Sequence, residues 1–182
     1  MSDEQIIEQV KNGNDSAFRE LVLKYESRIA ATVIGMLGNC SEAEDVGQEV
    51  FIRFYNAIEK FRGESSLATY LTRIAINLSL NEIKRRKRKN LFFIRQDDFE
   101  VENTAESDDK NYDDVNELIQ QAIKELDPNF RSVVVLRLID GYSTEETAKI
   151  LKIPIGTVLS RLARAQQKLR KKLAPLLEVN HG

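Results

Sequence analysis

The segment spanning residues 43–89 constrains the fold of this chain more than any other part of the sequence. Its apolar residues recur at three- and four-residue steps in two stretches, which predicts two amphipathic helices separated by the glycine-containing turn of residues 62–66. The second helix ends in six consecutive basic residues, 84–89. A chain with this pattern is expected to bury one face of each helix and to leave one helix end strongly positive.

Helix signals continue on both sides of this segment and predict an all-α fold. We expect two small helical domains, residues 1–90 and 113–182, joined by a flexible acidic linker over residues 91–112. Helix starts are predicted from capping boxes at Ser2 with Gln5, Ser41 with Glu44 and Ser143 with Glu146, and from Asp15 as a cap of the second helix.

The charge is distributed unevenly along the chain. The net charge is +1 over residues 1–90, −8 over residues 91–117 and +5 over residues 118–182, so the overall value of −2 conceals basic regions at both ends. Binding to nucleic acid depends on such local fields rather than on total charge.

Composition points to a cytoplasmic protein. No apolar run approaches the roughly 18 residues needed to cross a bilayer, and the N-terminus is polar and acidic where a signal peptide is basic and then apolar. The single cysteine, Cys40, permits no internal disulfide, which fits a reducing compartment.

The C-terminal part contains a helix-turn-helix pattern. A short helix ends before the turn of residues 152–154, and a long helix follows from about residue 155 to 173. Ala148 is expected where two helices cross closely and Val158 is expected to be buried ten residues later. Lys152 stands where many such turns have glycine, because the backbone there is left-handed.

Basic residues follow one another at helical steps on the second helix of this motif, at Arg161, Arg164, Lys168 and Lys171. They suit contacts to phosphates and guanine edges. The alternative is an amphipathic helix whose charged face meets only water. The small residue, the turn proline and the basic face are in mutual register, which favours DNA binding.

Together, the two halves closely resemble an extracytoplasmic-function (ECF) sigma factor of bacterial RNA polymerase, in the sigma-70 family. The resemblance rests on residues 45–51 (DVGQEVF), 61–67 (FRGESSL), 70–89 and 156–161 (GTVLSR), and it extends over nearly the whole chain. It implies a region-two domain followed by a region-four domain. It also implies a transcription initiation factor that directs core polymerase to promoters and opens the minus-ten element.

The resemblance assigns three binding surfaces. Core polymerase contacts are implied for Asp45, Gln48, Glu49, Ile52 and Arg53. Minus-ten DNA contacts are implied for Phe61, Arg62, Gly63, Ser65, Ser66, Leu67, Tyr70, Arg73, Asn77, Asn81, Lys84, Arg85 and Arg88. Minus-thirty-five DNA contacts are implied for Thr157, Ser160, Arg161, Arg164 and Lys168.

Some of these positions admit a second interpretation. Phe61, Leu67 and Tyr70 are candidates for a wall on which bases stack, and each is equally compatible with an ordinary core position. Leu67 and Tyr70 also stand where the family often has larger aromatics. Leu159, Ala163 and Gln166 replace residues that are often basic or histidine, so weaker minus-thirty-five contacts are expected.

The implied partners are core RNA polymerase, promoter DNA in duplex and melted form, and an anti-sigma factor as a candidate inhibitor. The free protein is expected to be a monomer whose two domains either move independently or pack together. No cofactor, metal site or catalytic residue is predicted, because the sequence has no phosphate-binding glycine loop, zinc-ligand spacing or nucleophile–base pair. The chain is therefore not expected to be an enzyme.

Two other functions remain open at this point. A stand-alone helix-turn-helix regulator would account for residues 118–182 but would leave the 43–89 pattern without a role. A helical adaptor that binds only protein would account for Asp45, Gln48 and Glu49, but not for six consecutive basic residues beside a second basic helix.

Overall fold

The computed structural model describes residues 1–94 and 112–179, which form helices and connecting turns without a strand. The helices are α1 (Asp3–Lys11), α2 (Asp15–Leu37), α3 (Ser41–Ala57), α4 (Leu67–Ile94), α5 (Tyr112–Lys124), α6 (Pro128–Val134), α7 (Thr144–Leu151) and α8 (Ile155–Val179). A 3₁₀ turn, Ile58–Lys60, follows α3, and a π-helical segment, Val135–Ile139, continues α6. The all-α prediction is confirmed.

The predicted linker overlaps only partly with the described residues. Helix α4 continues to Ile94, four residues beyond the predicted domain boundary at residue 90. Residues 95–111, which make up most of the predicted flexible linker, lie outside the described residues.

Two of the predicted capping boxes are present. The Ser2 hydroxyl accepts a hydrogen bond from the Gln5 amide N–H at 3.3 Å, and the Gln5 side chain accepts one from the Ser2 N–H at 2.9 Å. Ser143 and Glu146 make the same reciprocal pair at 3.1 and 2.8 Å. These pairs satisfy amide groups that a helix start leaves without an intrahelical partner.

The predicted caps of α2 and α3 were wrong by one residue each. Asn14, not Asp15, caps α2, and its side-chain oxygen accepts from the N–H groups of Ser16 and Ala17 at 3.0 and 3.2 Å. Asp15 is therefore the first residue inside the helix, where the helix dipole stabilises its negative charge.

Helix α3 begins at Ser41, so Cys40 occupies the cap position and makes no side-chain capping bond. The Ser41 hydroxyl lies inside the first turn and donates to Glu42 at 3.3 Å instead of pairing with the Glu44 N–H. A capping box requires the serine to stand just outside the helix, and this serine is one residue too far along.

The N-terminal half, residues 1–94, packs around one apolar core. Leu21 of α2, Phe54 of α3 and Leu71 of α4 are completely buried at its centre. Burial of side chains of this size stabilises the fold by roughly 1.5–3 kcal/mol each. The core fixes α3 and α4 side by side, which determines where their outer faces point.

The C-terminal half, residues 112–179, has smaller clusters. Val133, Ala148 and Val158 form one of them and hold the helix-turn-helix pair α7–α8 against α6. Val158 is completely buried, and Ala148 is buried with it in this cluster, as predicted for a small residue packed between two helices. Lys152 adopts φ 55° and ψ 46°, the left-handed conformation that glycine usually provides.

The two halves pack against each other. The buried guanidinium of Arg131 in α6 donates to the main-chain oxygen of Met36 in α2 at 2.7 Å, and to those of Lys124 and Leu126 in its own half. Beside it, Gly35 of α2 approaches Val135 so closely that an added Cβ would lie 3.0 Å from a valine methyl group. Of the two expected arrangements of the domains, the structure has the packed one.

Polar contacts extend this interface. The Thr32 hydroxyl of α2 donates to the carboxylate of Asp140 at 2.9 Å, and the hydroxyls of Thr72 and Tyr142 lie 2.8 Å apart. Burial raises the pKa of Asp140 to about 6, against smaller opposing effects of the Thr32 hydrogen bond and the Arg28 charge. The carboxyl of Asp140 is thus held where its charged form is poorly solvated.

Candidate nucleic-acid and protein interfaces

The outer side of α3 carries the residues predicted to contact the polymerase. Asp45, Gln48, Ile52 and Arg53 are exposed and Glu49 is half-buried, and we call these five residues the α3 surface. Ile52 is 53% exposed, which is unusual for an isoleucine so near an apolar core. A hydrogen-bonded ion pair joins Glu49 to Arg53 at 2.8 Å, one helical turn apart.

An apolar groove of about 380 Å³ runs between α2 and α3 next to this surface. Val22, Ile29 and Phe51 line it together with Glu44 and Gln48. Apolar walls with a few polar side chains suit a groove that receives protein side chains, and Gln48 belongs to both the groove and the α3 surface. The two features therefore form one continuous surface.

A second cavity, of about 510 Å³, lies at the turn between α3 and α4. Its walls include Phe61 and Tyr70, whose ring centroids are 5.0 Å apart in an edge-to-face arrangement, and both rings pack 5.9 Å from the buried Phe54. We call this cavity the turn pocket. Its remaining lining residues are Glu59, Lys60, Arg62, Glu64, Ser65 and Arg73.

Leu67 lies elsewhere. It is 2% exposed and belongs to the N-terminal core, which favours the packing interpretation for this residue over the stacking one. Phe61 and Tyr70 are half-buried, so they both pack against Phe54 and border the pocket.

Hydrogen bonds hold the turn in place. The Ser66 hydroxyl accepts from the N–H of Thr69 at 3.2 Å at the start of α4, and Lys11 donates to the Phe61 carbonyl at 3.4 Å. Gly63 has a φ of 70°, a conformation that side chains rarely adopt. Two hydrogen bonds and a glycine with positive φ therefore hold the backbone that frames the pocket.

Arg73 gives the turn pocket a polar wall. Its Nε is buried and has no hydrogen-bond partner among the described residues. A buried donor left unpaired costs roughly 1–3 kcal/mol. The pocket thus combines aromatic edges with a cationic donor.

From the turn pocket, a polar stripe continues along α4. At about 100° per residue, six residues of this helix fall within about 80° of one another: Tyr70, Arg73, Asn77, Asn81, Lys84 and Arg88. Asn77, Asn81, Lys84 and Arg88 are exposed. We call this set the α4 stripe, and it places three cations and two amides in a row that begins at the pocket.

The basic run at the end of α4 is not uniformly available. Arg85 donates twice to Glu82, at 2.7 and 2.9 Å, and this hydrogen bonding is the main reason that the pKa of Glu82 is lowered. Arg86 donates to Glu82 at 3.0 Å and lies 3.4 Å from Glu42 and 3.2 Å from the Cys40 sulfur. Arg86 therefore joins α4 to the start of α3.

The five predicted minus-thirty-five residues share one side of α8. Thr157, Ser160, Arg161, Arg164 and Lys168 fall within about 100° of one another around the helix. All of them except Lys168 line a third cavity, of about 320 Å³, against the start of α6. We call this set the α8 basic side.

Sequence reasoning missed part of this cavity. Asp127, Asn129 and Phe130 complete its lining, and the ammonium group of Lys168 lies 4.8 Å from the Phe130 ring centroid. No signal in the sequence relates these residues to a helix that lies about 30 positions later.

Over residues 1–94 and 112–179, no group of three or more His, Cys, Asp or Glu is arranged to hold a metal ion. Within the same ranges, no helix is both long enough and apolar enough to traverse a lipid bilayer.

Two family profiles match the chain. Residues 21–89 match the family profile of Sigma-70 region 2, and residues 116–169 match that of Sigma-70 region 4. The first match includes the α3 surface, the turn pocket and the α4 stripe, and the second includes the α8 basic side.

Relatives match over almost their full length. The chain is 35% identical to the RNA polymerase sigma-H factor of Pseudomonas aeruginosa, over 96% of this chain and 95% of that protein. It is 38% identical to the ECF RNA polymerase sigma factor SigW of Bacillus subtilis, over 93% and 96%.

The fold is also that of a solved sigma factor. The structure of RpoE in complex with the anti-sigma factor NepR from Bartonella quintana superimposes with a TM-score of 0.69 and 23% identity, over 86% of this chain and 96% of that chain. The similarity of sequence over the whole length and the two family profiles lead to one conclusion: the chain belongs to the ECF sigma factors of the sigma-70 family.

Proposed function

We propose that this protein is a transcription initiation factor that binds core RNA polymerase, directs it to specific promoters and opens the minus-ten element. The observation that carries this proposal is the continuity between the turn pocket and the α4 stripe. A cavity with aromatic walls and a cationic donor leads directly into a row of cations and amides.

Such an arrangement suits DNA that has been unpaired. Opening a duplex costs a few kcal/mol per unstacked base, and capture of an extruded base in a pocket offsets part of that cost. Single strands bind to basic grooves that also offer aromatic surfaces. The turn pocket, with Phe61, Tyr70 and Arg73, would receive a base of the minus-ten element, and Lys84 and Arg88 would hold the backbone of the strand.

The α3 surface is the proposed contact with core polymerase. It offers two carboxylates and a glutamine around the exposed Ile52, beside the groove between α2 and α3. An apolar side chain surrounded by polar ones is the usual organisation of a protein interface. Because one acid, Glu49, is already paired with Arg53, Asp45 is the more available partner for a cation of the polymerase.

The α8 basic side is the proposed reader of the minus-thirty-five element. Its three cations suit phosphates or guanine edges in the major groove. Each phosphate contact contributes about 0.9 to the slope of log affinity against log salt, and three cations give a weak, salt-sensitive interaction. We therefore expect useful promoter affinity only when polymerase holds both halves of the chain on the DNA.

The remaining parts of the proposal follow from this role. Core polymerase would carry out RNA synthesis, so the chain itself catalyses no reaction and needs no cofactor. It would work as a monomer in the cytoplasm, where bacterial polymerase acts. An anti-sigma factor that covers the α3 surface is the proposed kind of inhibitor, of the class that binds the solved relative.

The test is assembly with bacterial core RNA polymerase, followed by transcription from a library of promoter-containing templates. We expect the chain to co-elute with core and to produce transcripts from a defined set of start sites. Asp45→Arg should weaken assembly, since it reverses the charge of the α3 surface. Glu8→Arg, an equal change of charge on an exposed position of α1, is the matched control and should assemble normally.

Absence of assembly with core would contradict the proposal. If the chain then bound specific duplex DNA by itself, a stand-alone helix-turn-helix regulator would be the better description. Binding of duplex DNA by the free protein at near-nanomolar affinity and physiological salt would contradict the weak binding expected here.

A further inference from the structure

Helix α8 carries an exposed apolar edge that the proposed contacts do not use. Ile155, at the first position of the helix, is 47% exposed, and Leu159, one turn later, is 53% exposed. Residues four apart are neighbours on a helix surface. The two side chains thus form one apolar patch, which we call the apolar edge.

Packing does not explain this edge. The side of α8 that faces the C-terminal cores is defined by Val158 and Ala165, which are both completely buried. Leu159 lies about 100° from Val158 around the helix and about 140° from Arg164. The outward part of α8 is thus bounded by the apolar edge on one flank and by the α8 basic side on the other.

The position of the edge along α8 indicates what covers it. In a helix-turn-helix, the N-terminal residues of the second helix are the ones that approach base edges. Ile155 and Leu159 are in the first two turns of α8, whereas Lys168 is in the fourth. The cations on the other flank provide the complementary charge that brings this helix to DNA.

The major groove offers one apolar group to such a side chain. Thymine presents its C5-methyl there, next to the hydrogen-bonding atoms of the other bases, and aliphatic side chains make apolar contact with it. A leucine in this position cannot read a donor or an acceptor. It can distinguish a base with a methyl group from one without.

We propose that Leu159, supported by Ile155, is a specificity-determining residue that contacts the C5-methyl group of a thymine on either strand of the minus-thirty-five element. This inference rests on the proposed function, because it requires that α8 read promoter DNA. It assigns part of the sequence preference to apolar contact on one flank of α8 and the backbone contacts to the cations on the other flank.

Single exposed leucines are common on protein surfaces and carry no meaning by themselves. Leu138, also 53% exposed, is such a residue, and it lies on the π-helical segment rather than on α8. It provides a matched control: the same residue type with the same exposure, outside the proposed DNA-reading helix.

The experiment uses deoxyuridine, which pairs as thymine does and differs only by the absence of the methyl group. The full chain is assembled with core polymerase, and promoter binding is measured on duplexes in which each minus-thirty-five thymine is replaced in turn. At one position or more, we expect about a three- to fivefold loss of affinity, the effect of one buried methyl group.

The variants localise the effect. With Leu159→Ala, the loss caused by the same replacement should disappear, because the side chain that contacts the methyl group is gone. With Leu138→Ala, the loss should be the same as in the unmodified protein. Leu159→Ala removes only exposed apolar atoms and places a good helix former in α8, so folding should be preserved.

Three results would overturn the inference. The first is affinity that is unaffected by deoxyuridine at every thymine of the element. The second is a loss that persists at full size in Leu159→Ala. The third is weaker assembly of Leu159→Ala with core polymerase and an unchanged deoxyuridine effect, which would assign the edge to a protein contact.

Failure of the proposed function gives a different pattern. In that case the unmodified protein would not assemble with core or start transcription at defined sites on any template, and the inference would fall with it. Normal assembly and promoter use with no sensitivity to the methyl group would overturn the inference alone.

Discussion

The N-terminal and C-terminal halves are both helical, but they obtain their stability differently. Helices α1–α4 surround a continuous core with Leu21, Phe54 and Leu71 at its centre. The C-terminal half has two small clusters of buried side chains, and other apolar residues of this half, including Leu136 and Tyr142, join the N-terminal core instead.

This difference means that the halves depend on each other unequally. Removal of the C-terminal half would expose one side of α2 and α4 but would leave the centre of the N-terminal core intact. Removal of the N-terminal half would leave Leu136 and Tyr142 without their apolar surroundings. We therefore expect damage in the N-terminal half to reach the whole molecule, and damage in the C-terminal half to stay local.

Phe54→Ala provides the largest test of this asymmetry. Loss of a completely buried phenylalanine should reduce the free energy of unfolding by about 3–5 kcal/mol. Chemical denaturation measures this value, and hydrogen exchange should show lost protection in both halves. The neighbouring Tyr55 is 43% exposed, so Tyr55→Ala should cost much less; equal losses for the two variants would contradict the assignment of the core.

Arg131→Met should act mainly on the C-terminal half. The variant keeps an unbranched side chain but removes the donors to three main-chain oxygens, one of them in α2. We expect a cost of about 2–3 kcal/mol from the unpaired carbonyls. Hydrogen exchange should become faster in α5–α8 than in α1–α4.

Arg137→Met is the control for this variant. Arg137 donates to the Tyr142 carbonyl within the C-terminal half and not to α2. The Arg137 variant should therefore lower the free energy of unfolding without making hydrogen exchange faster in one half than in the other. If both variants separated the halves equally, the contact of Arg131 with Met36 would have no special part in joining them.

Asp140 should make the contact between the halves sensitive to pH. Its pKa is about 6 in the folded protein, above the ordinary value of 3.8. The neutral form is favoured by folding, so its contribution is fully present below about pH 4 and is lost as the pH rises through 6. With allowance for solvent screening, the loss between pH 4.5 and 7.5 should be about 1 kcal/mol.

Asp140→Asn isolates this effect from other titrating groups. The amide stays neutral at every pH and keeps an oxygen that can accept from Thr32. The difference in unfolding free energy between pH 4.5 and 7.5 should therefore be smaller in the variant than in the unmodified protein. An identical pH dependence in both proteins would show that folding does not raise the pKa of Asp140.

Lys152→Gly should give the smallest change, and a favourable one. Lysine is held at φ 55° there, and glycine adopts that conformation without the steric cost. We expect the C-terminal half to gain about 0.5 kcal/mol after the greater freedom of unfolded glycine is counted. Lys149→Gly, inside α7, is the control and should instead lose about 1 kcal/mol; a loss for both would contradict the strain assigned to the turn.

Local features were predictable from the sequence to the extent that neighbouring residues decide them. The capping boxes at Ser2 and Ser143 and the left-handed backbone at Lys152 depend on residues within one helical turn. The predicted Ser41 box failed because α3 begins at Ser41 itself, one residue earlier than a serine cap at this position requires. Cys40, which makes no side-chain capping bond, stands at the cap position instead, although it is not a residue type that caps helices well.

Contacts between the halves were not predictable in this way. Arg131 stands in an otherwise apolar stretch, and nothing near it in the sequence indicates that its partner is the Met36 carbonyl, 95 residues earlier. The pairing of Thr32 with Asp140, 108 positions apart, is equally remote. The proposed sites are predictable in part. The turn pocket is lined by residues 59–73, which are close together in the sequence, whereas Phe130 lies far from the α8 residues with which it lines a cavity.

The packing of the two halves also limits the reach of the molecule. A folded chain of this length has a radius of gyration of about 16 Å, which corresponds to a diameter of about 40 Å. At 3.4 Å per base pair, this diameter corresponds to about 12 base pairs of duplex. Contact with two DNA elements farther apart than this requires the halves to separate, which breaks the contacts of Arg131 and Asp140 with α2.

The 17 residues from 95 to 111 have a contour length of about 60 Å, which limits how far the halves can then move apart. The free energy of the contacts between the halves is then subtracted from the affinity of the protein for polymerase and promoter. Each bond between the halves, such as that of Arg131 with Met36, then opposes the binding of widely spaced elements.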